Sequence, residues 1–570
     1  MDSSPRSSNP KLDEAGVKTE PSVNPSPRVS LSEKREVSTP PMAPEAEKTI
    51  EEPEQVEEED LVYPPKVQVT FITLALCLSV FLIALDQTII ATAIPRITDQ
   101  FKALNDVGWY GSAYLLTTCA FQLLFGKFYS FLSIKWTYLT AITIFELGSL
   151  ICATAPNSNA LIVGRAVAGL GSAGLFSGAL IIVSVTVPLR QRPTYTGFIG
   201  AMFGIASVAG PLMGGAFTDH LTWRWCFYIN LPIGAVTIAV IAFTFKPPER
   251  AEIASIGFKE RIKQFDLLGT FVFVPAIVCL LLALQWGGTQ YAWKSGRIIA
   301  LFVVFGVLIA TFIFIQFRRG DLATIPPRII KQRSLAFGAW FILCIGAAFL
   351  TLIYFLPIWF QAIKGVSATK SGIMNLPFIM GVVISSILSG IAVTLVGYYT
   401  PFIILSTVLT SVGAGLLTTL TVDSGHAQWI GYQALFGLGT GTGLQLPLIA
   451  AQTVLKRADI PTGTAVIIFA QTLGGALFIS IGQNVWTNEL VKGLKQVVPD
   501  LDPNLVLQVG ATSLKDQVPK EFYPGVLVAY NESLTKTFYV AVAMTILSLI
   551  GALGIEWKSV KGKKLVAAGA

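Results

Sequence analysis

Fourteen apolar stretches, each close to or above the roughly 20 residues a helix needs to cross a bilayer, dominate the sequence beyond residue 66. They lie near 69–95, 109–132, 136–155, 160–187, 194–217, 225–246, 266–284, 297–317, 335–359, 371–395, 400–421, 428–450, 462–484 and 537–556. So much continuous apolar surface rules out a water-soluble domain, which draws on about 25% charged residues. Here charged residues are 13% and hydrophobic residues 53% of 570, and mean hydropathy is +0.63. Strands of a membrane barrel would be about half as long and would alternate in polarity. The stretches therefore read as helices, and the chain as an all-α polytopic membrane protein.

Charge divides the sequence in two. Residues 1–66 hold 8 Lys/Arg and 15 Asp/Glu; the remaining 504 hold 33 and 19. The first segment, rich in Pro, Ser and Glu and ending in "EEPEQVEEED", cannot bury enough apolar area to offset its ordering entropy. It reads as a disordered acidic tail, without the basic and apolar regions of a cleaved signal peptide. All six cysteines (Cys77, Cys119, Cys152, Cys226, Cys279 and Cys344) fall in apolar runs with no CxxC spacing, which suits packed free thiols. Only His220 and His426 are present, so neither a metal site nor His-based catalysis is expected. No cofactor and no nucleic-acid partner is implied, and without a GxxxxGK[ST] loop the chain is not an ATP-driven pump.

Basic residues set the expected orientation. With a cytosolic N-terminus, the first four inward gaps hold Lys127, Lys135, Arg190, Arg192, Lys246, Arg250, Lys259, Arg261, Lys263, Arg318, Arg319, Arg328, Lys331 and Arg333. The matching outward gaps hold only Arg96, Lys102, Arg224, Lys294 and Arg297. The positive-inside rule thus places both termini in the cytosol. Residues 247–265 form a cytosolic segment, and 485–536 an outward loop with a sequon at Asn531, close to the last span.

Four features stand out from the apolar background. Asp86, in "LDQTIIATAIP" of the first span, costs about 2.5–3.5 kcal/mol to insert and reads either as a protonation site or as a fixed ion pair. Arg165 opens "GRAVAGLGSAGLFSGA" in the fourth span, and Glu146 lies in the third. At about 1.5 Å rise per residue, all three fall at similar depth in the outer half of the bilayer. Arg165 either holds the carboxylates ionised or snorkels to the interface, and Glu146 either titrates or makes a helix-packing hydrogen bond. The fifth span carries Gly197, Gly200, Gly204, Gly210, Pro211, Gly214 and Gly215. Small residues let helices touch, and Pro211 loosens the backbone, so this span is either a hinge or a packing surface. The loop "FGKFYSFLSIKW" places Gly126, Lys127 and Lys135 at the inward end.

Together these motifs resemble the major facilitator superfamily, specifically its fourteen-helix drug:proton antiporters and fungal efflux pumps for toxins and other secondary metabolites. "LDQTIIATAIP" and "GRAVAGLGSAG" resemble that family's signatures in helices 1 and 4. "GFIGAMFGIASVAGPLMGG" is similar to its antiporter motif G-x8-G-x3-GP-x2-GG, with Ala206 for the second glycine. "WRWCFYINLPIG" and "PTGTAVIIFAQTLGGALF" are similar to stretches of the fungal branch. Ser130 stands where the superfamily consensus has an aspartate, and "GIAVTLVGYYT" is uncharged too.

The resemblance implies a six-helix bundle over 67–246, inserted helices 7–8 within 247–333, a second bundle over 334–557, and a cytosolic tail over 558–570. It implies proton coupling through Asp86, Arg165 and Glu146, and a path between bundles with Tyr354, Gln433, Thr440, Thr442 and Gln445 as candidate polar contacts. The expected protein is a monomer in the plasma membrane, or in a vacuolar or vesicular membrane, exporting a hydrophobic small molecule against protons. A proton-coupled uptake carrier and a non-transporting sensor are the alternatives.

Overall fold

The computed structural model describes residues 63–561 apart from 104–105, 248–263, 289, 509–513 and 515–517. The tail to residue 62, Arg250, Lys259, Arg261, Lys263 and residues 562–570 lie outside the described residues.

Among the described residues fourteen long helices run in order, their backbone bonds closed within each segment as a bilayer demands. They are α1 (Lys66–Phe101), α2 (Val107–Phe131), α3 (Ile134–Thr154), α4 (Ser158–Thr186) and α5 (Arg192–His220). Next come α6 (Asn230–Thr244), led by the short turn Trp225–Tyr228, then α7 (Leu267–Trp286), α8 (Gly296–Arg319) and α9 (Arg333–Lys364). The last five are α10 (Leu376–Val396), α11 (Thr400–Leu417), α12 (His426–Gly443, continued by Leu446–Val454), α13 (Ile460–Val497) and α14 (Tyr523–Gly554). Thirteen are long and apolar enough to cross a membrane. The remaining one, α2, is 25 residues long but diluted by Gly, Thr, Gln and Lys. Side chains close several starts: Asn157 accepts from Ala160 N, and Asp266 accepts from Gly269 N.

The outward loop differs from the sequence reading. α13 continues to Val497 and α14 begins at Tyr523, so much of 485–536 is helix. Leu490 and Leu494 on α13 meet Val526, Ala529 and Tyr530 on α14 in one core that extends beyond the bilayer-length segments. Apolar residues at helical spacing continue the pattern there, whereas a bilayer-length window stops at the intervening charges. Asn531 of the sequon lies within α14. Its side chain is buried in α14, accepting from Trp359 Nε1 at 2.8 Å and donating to Leu420 O at 3.1 Å.

Helices α1–α6 pack chiefly on one another, as do α9–α14, while α7 and α8 form a hairpin. The hairpin sits over a junction of the two groups, with Phe273 and Ile277 of α7 and Phe312 of α8 packed among Cys119 and Leu123 of α2 and Ala465 of α13. The end that holds the start of α1 and the end of α14 is sealed. There a single apolar core joins Val183 and Val187 at the end of α4 with Leu335, Ile449 and Ile467 of the second group. At the far end the cores are separate, one around Ile89, Leu161 and Phe227, the other around Trp359, Trp429 and Phe538.

Replacing Asn531 by Ala leaves both partners without their bonds and should destabilise the far-end core by about 1–3 kcal/mol. Detergent-solubilised thermal unfolding measures this, and glycosidase treatment of the parent protein should leave its mobility unchanged at this site.

Candidate functional site

The charged side chains most costly to bury meet at the centre of the first bundle. Arg165 of α4 and Asp86 of α1 are 1% and 0% exposed, with Nη1 2.5 Å from Oδ2. Arg165 Nε also donates to Tyr110 O at 2.7 Å, and its guanidinium lies 4.5 Å from the centre of the Tyr114 ring. The second Asp86 oxygen accepts from Asn230 Nδ2 of α6 at 3.2 Å, and the same amide donates to Ser149 Oγ of α3 at 3.1 Å. Arg165 is therefore enclosed in the protein rather than snorkelled to an interface. Removing one partner of such a pair strands the other and costs about 3–5 kcal/mol.

Glu146 lies one turn before Ser149 on α3 and is buried, and neither carboxyl oxygen has a hydrogen-bond partner among the described residues. Its carboxyl occupies the space left by Gly234, one turn after Asn230; a Cβ there would collide with Glu146 Oε1. A lone carboxylate in such surroundings is far more costly than a neutral acid. Asn230 joins Asp86 to Ser149 on the α3 face that bears Glu146, and Tyr110, Tyr114, Ser149 and Asn230 all escaped the sequence reading. The available signal was the polar residue in "YINLPIG", the lone amide of an otherwise apolar span.

The glycines of α5 divide between two neighbours. Gly210 and Gly214 are apposed to Thr88 and Thr92 of α1, inside the same bundle, and Gly215 has only Thr369 at 4.0 Å from an added Cβ. The contact between bundles is made by the earlier glycines, with an added Cβ on Gly197 falling 2.6 Å from Ser386 O of α10 and one on Gly204 colliding with Val383. Pro211 stands inside α5, with its ring facing Gly372 across the seam.

Two seams thus seal the terminal end. In the first, between α5 and α10, Thr194 Oγ1 lies 2.9 Å from Thr394 Oγ1, and Gly390 abuts Pro193 O. In the second, between α2 and α13, Ser130 Oγ lies 3.2 Å from Thr462 Oγ1, and Gly126 meets Ala465. The loop residues separate in role. Lys135 Nζ donates to Ala242 O of α6, inside its own bundle, and buried Lys127 sits 5.4 Å from the centre of the Phe131 ring.

The candidate cavity residues do not assemble. Gln433 is buried, donating to Met374 O and Trp429 O, and Thr440 donates to Phe436 O one turn back. Thr442 likewise donates to Leu438 O. The donors of all three are taken up by nearby backbone, while Gln433 Oε1 is buried without a hydrogen-bond partner among the described residues. Gln445 packs on the α5 backbone at Gly200, and only Tyr354 is exposed.

Two six-helix groups meeting at two seams, with a charge pair buried in one of them, define a polytopic transporter. The Major Facilitator Superfamily profile matches residues 76–479, and the chain belongs to that family. It is 63% identical over 504 residues to the MFS-type efflux pump MFS1 of Trichophyton rubrum, covering 88% of this chain and 94% of the relative. It is 56% identical over 493 residues to efflux pump roqT of Penicillium rubens, covering 86% and 91%. Efflux pump aflT of Aspergillus parasiticus is 53% identical over 491 residues, covering 86% and 96%. The human organic anion transporter MFSD10 shares the fold at TM-score 0.54 and 12% identity, over 85% of this chain and all of that one. The chain is a membrane transporter of the efflux type.

The seam geometry predicts that a Thr194→Cys/Thr394→Cys pair will cross-link under mild oxidation. Transport should then fall to background and return on reduction, which a cycle of oxidant and dithiothreitol on reconstituted protein measures.

Proposed function

We propose that the protein exports a hydrophobic or amphipathic small molecule in exchange for protons, by alternating access, with Asp86, Arg165 and Glu146 as the coupling groups. The observation that carries this reading is the fully buried Asp86–Arg165 pair, tied through Asn230 to the α3 face that bears Glu146. A fixed structural bolt would be served as well by apolar packing. A carboxylate whose only strong partner is one cation can instead exchange that partner for a proton, and the cost of the stranded guanidinium then biases the two access states. Shifting such an equilibrium fully takes about 5.5 kcal/mol, of the same order as breaking a buried pair. Names of relatives that are efflux pumps, together with the glycine–proline motif of α5, favour export over uptake.

In this reading both termini are cytosolic, the sealed end faces the cytosol, and the structure is the outward-facing state. Ser130 and Thr194 then contribute hydroxyl contacts to the inner gate. Arg328 stays outside the seams: it bridges Asp321 and Asp459 near the start of α13, and these carboxylates hold its guanidinium above its ordinary range. The protein acts as a monomer in the plasma membrane.

Asp86→Asn should lower gradient-driven export of a fluorescent amphipathic dye from proteoliposomes by ~100-fold, about 2.7 kcal/mol in barrier terms, while the protein still purifies as a folded monomer. A mutant that still concentrates the dye when a pH gradient is imposed would remove Asp86 from the coupling site.

The orientation is testable separately. A cysteine at exposed Asp500 should react with an impermeant maleimide on intact cells, and one at exposed Lys331 only after permeabilisation. The reverse pattern would invert the topology.

A further inference from the structure

Asp86 and Arg165 form a charged link between two parts of the first bundle that also share apolar contacts. α1 packs along α5, where Thr88 Oγ1 donates to Ala206 O at 3.1 Å and Gly210 and Gly214 admit α1 closely. α2 packs along α4, fastened by Thr117 Oγ1 to Ala166 O at 2.8 Å, Thr118 Oγ1 to Gly169 O at 3.0 Å and the Tyr129 hydroxyl to Gly174 O at 2.9 Å. Direct contact between α1 and α2, and between α4 and α5, is sparse, and the pairs meet mainly where α1 crosses α4. Each pair carries one of the two seams: α5 meets α10, and α2 meets α13.

Arg165 stands where the pairs cross. Nη1 reaches Asp86 on α1, while Nε reaches Tyr110 O and the guanidinium face covers the Tyr114 ring, both on α2. An arginine stays charged in proteins. When Asp86 takes up a proton, the carbonyl and the ring are what still stabilise the cation, and a cation over an aromatic face gains strength when desolvated. The ring face is the part of Tyr114 that contacts the cation, while its hydroxyl stands beside Ser172 of α4 and Gln87 of α1.

Resting on the antiport reading above, we propose that Tyr114 is a positioning residue for coupling. It keeps Arg165 on the α2–α4 pair when Asp86 is protonated, so that protonation releases α1–α5 from α2–α4 and lets the two seams move independently. The charged and titratable groups around Asp86 are Arg165 on α4, Tyr114 on α2, Glu146 and Cys152 on α3, and Cys226 in the turn before α6. Of these, only Arg165 and the Tyr114 ring form the tie between pairs.

The test needs no substrate. Spin labels at Gly111→Cys on α2 and Leu221→Cys just beyond α5, with the six native cysteines replaced, report the distance between the pairs at the far end. In the full chain in lipid nanodiscs, acidification should change this distance, and Asp86→Asn should hold it at the acidic value at every pH. Tyr114→Leu should abolish the response or move its midpoint by about one pH unit or more, a tenfold change in apparent proton affinity. Tyr114→Phe, which keeps the ring, should restore it.

A Tyr114→Leu protein with the parent midpoint and amplitude would overturn the proposal, as would a Tyr114→Phe protein as impaired as Tyr114→Leu. If Tyr114→Leu fails to fold, the parent decides, since a distance insensitive to pH contradicts the release of one pair from the other. An Asp86→Asn protein that still responds like the parent would instead sink the Asp86 reading itself.

Discussion

A guanidinium removed from water must find acceptors that do not move away, and Arg165 finds them on two neighbouring helices. Asp86 supplies the charge, Tyr110 a carbonyl and Tyr114 an aromatic face. Asn230 in turn holds Asp86 from the opposite side and reaches Ser149. Because none of these groups has water to fall back on, the positions of α1, α2, α3, α4 and α6 are linked through a handful of polar atoms in an otherwise apolar bundle. Low dielectric makes each such link strong and makes its loss costly.

The rest of the architecture allows that link to matter. Glycines bring α5 against α1 at Gly210 and Gly214, and against α10 at Gly197 and Gly204, so a single helix belongs to both the bundle and the seam. The seams join hydroxyls, glycine contacts and apolar side chains, with hydrogen bonds from Ser130 to Thr462 and between Thr194 and both Thr394 and Gly390. Neutral contacts of this kind can part without stranding a charge. The costly charge is placed instead in the middle of the first bundle, one step back from the moving surfaces. The α7–α8 hairpin, lying against both α2 and α13, spans the same junction from outside.

Much of this was legible in the chain because lipid imposes a simple rule. Length and continuous apolarity announce helices, and an acid or base inside them is conspicuous because it is expensive. Asp86 and Arg165 could be paired in depth from rise per residue alone. Gln433 and Thr440 are less legible for the opposite reason: neutral polar side chains can place their donors on their own helix or a neighbour, so their presence in a span says little about a cavity. The extension of α13 and α14 was hidden by charges that, once the helices pair, lie outside their shared apolar stripe.

The sequence by itself determined that the chain is a bundle of membrane helices, where most of them begin and end, and which charges lie at membrane depth. These follow from solvation along the chain, a local property. Tertiary structure decided who faces whom: that Gly210 and Gly214 turn toward α1 rather than across the seam, that Asn531 is a buried bracket between Trp359 and Leu420, and that Asn230 and Tyr114 complete the site. Those outcomes depend on the rotation of each helix about its axis. That angle is fixed by the simultaneous packing of all its neighbours, so no single span carries it.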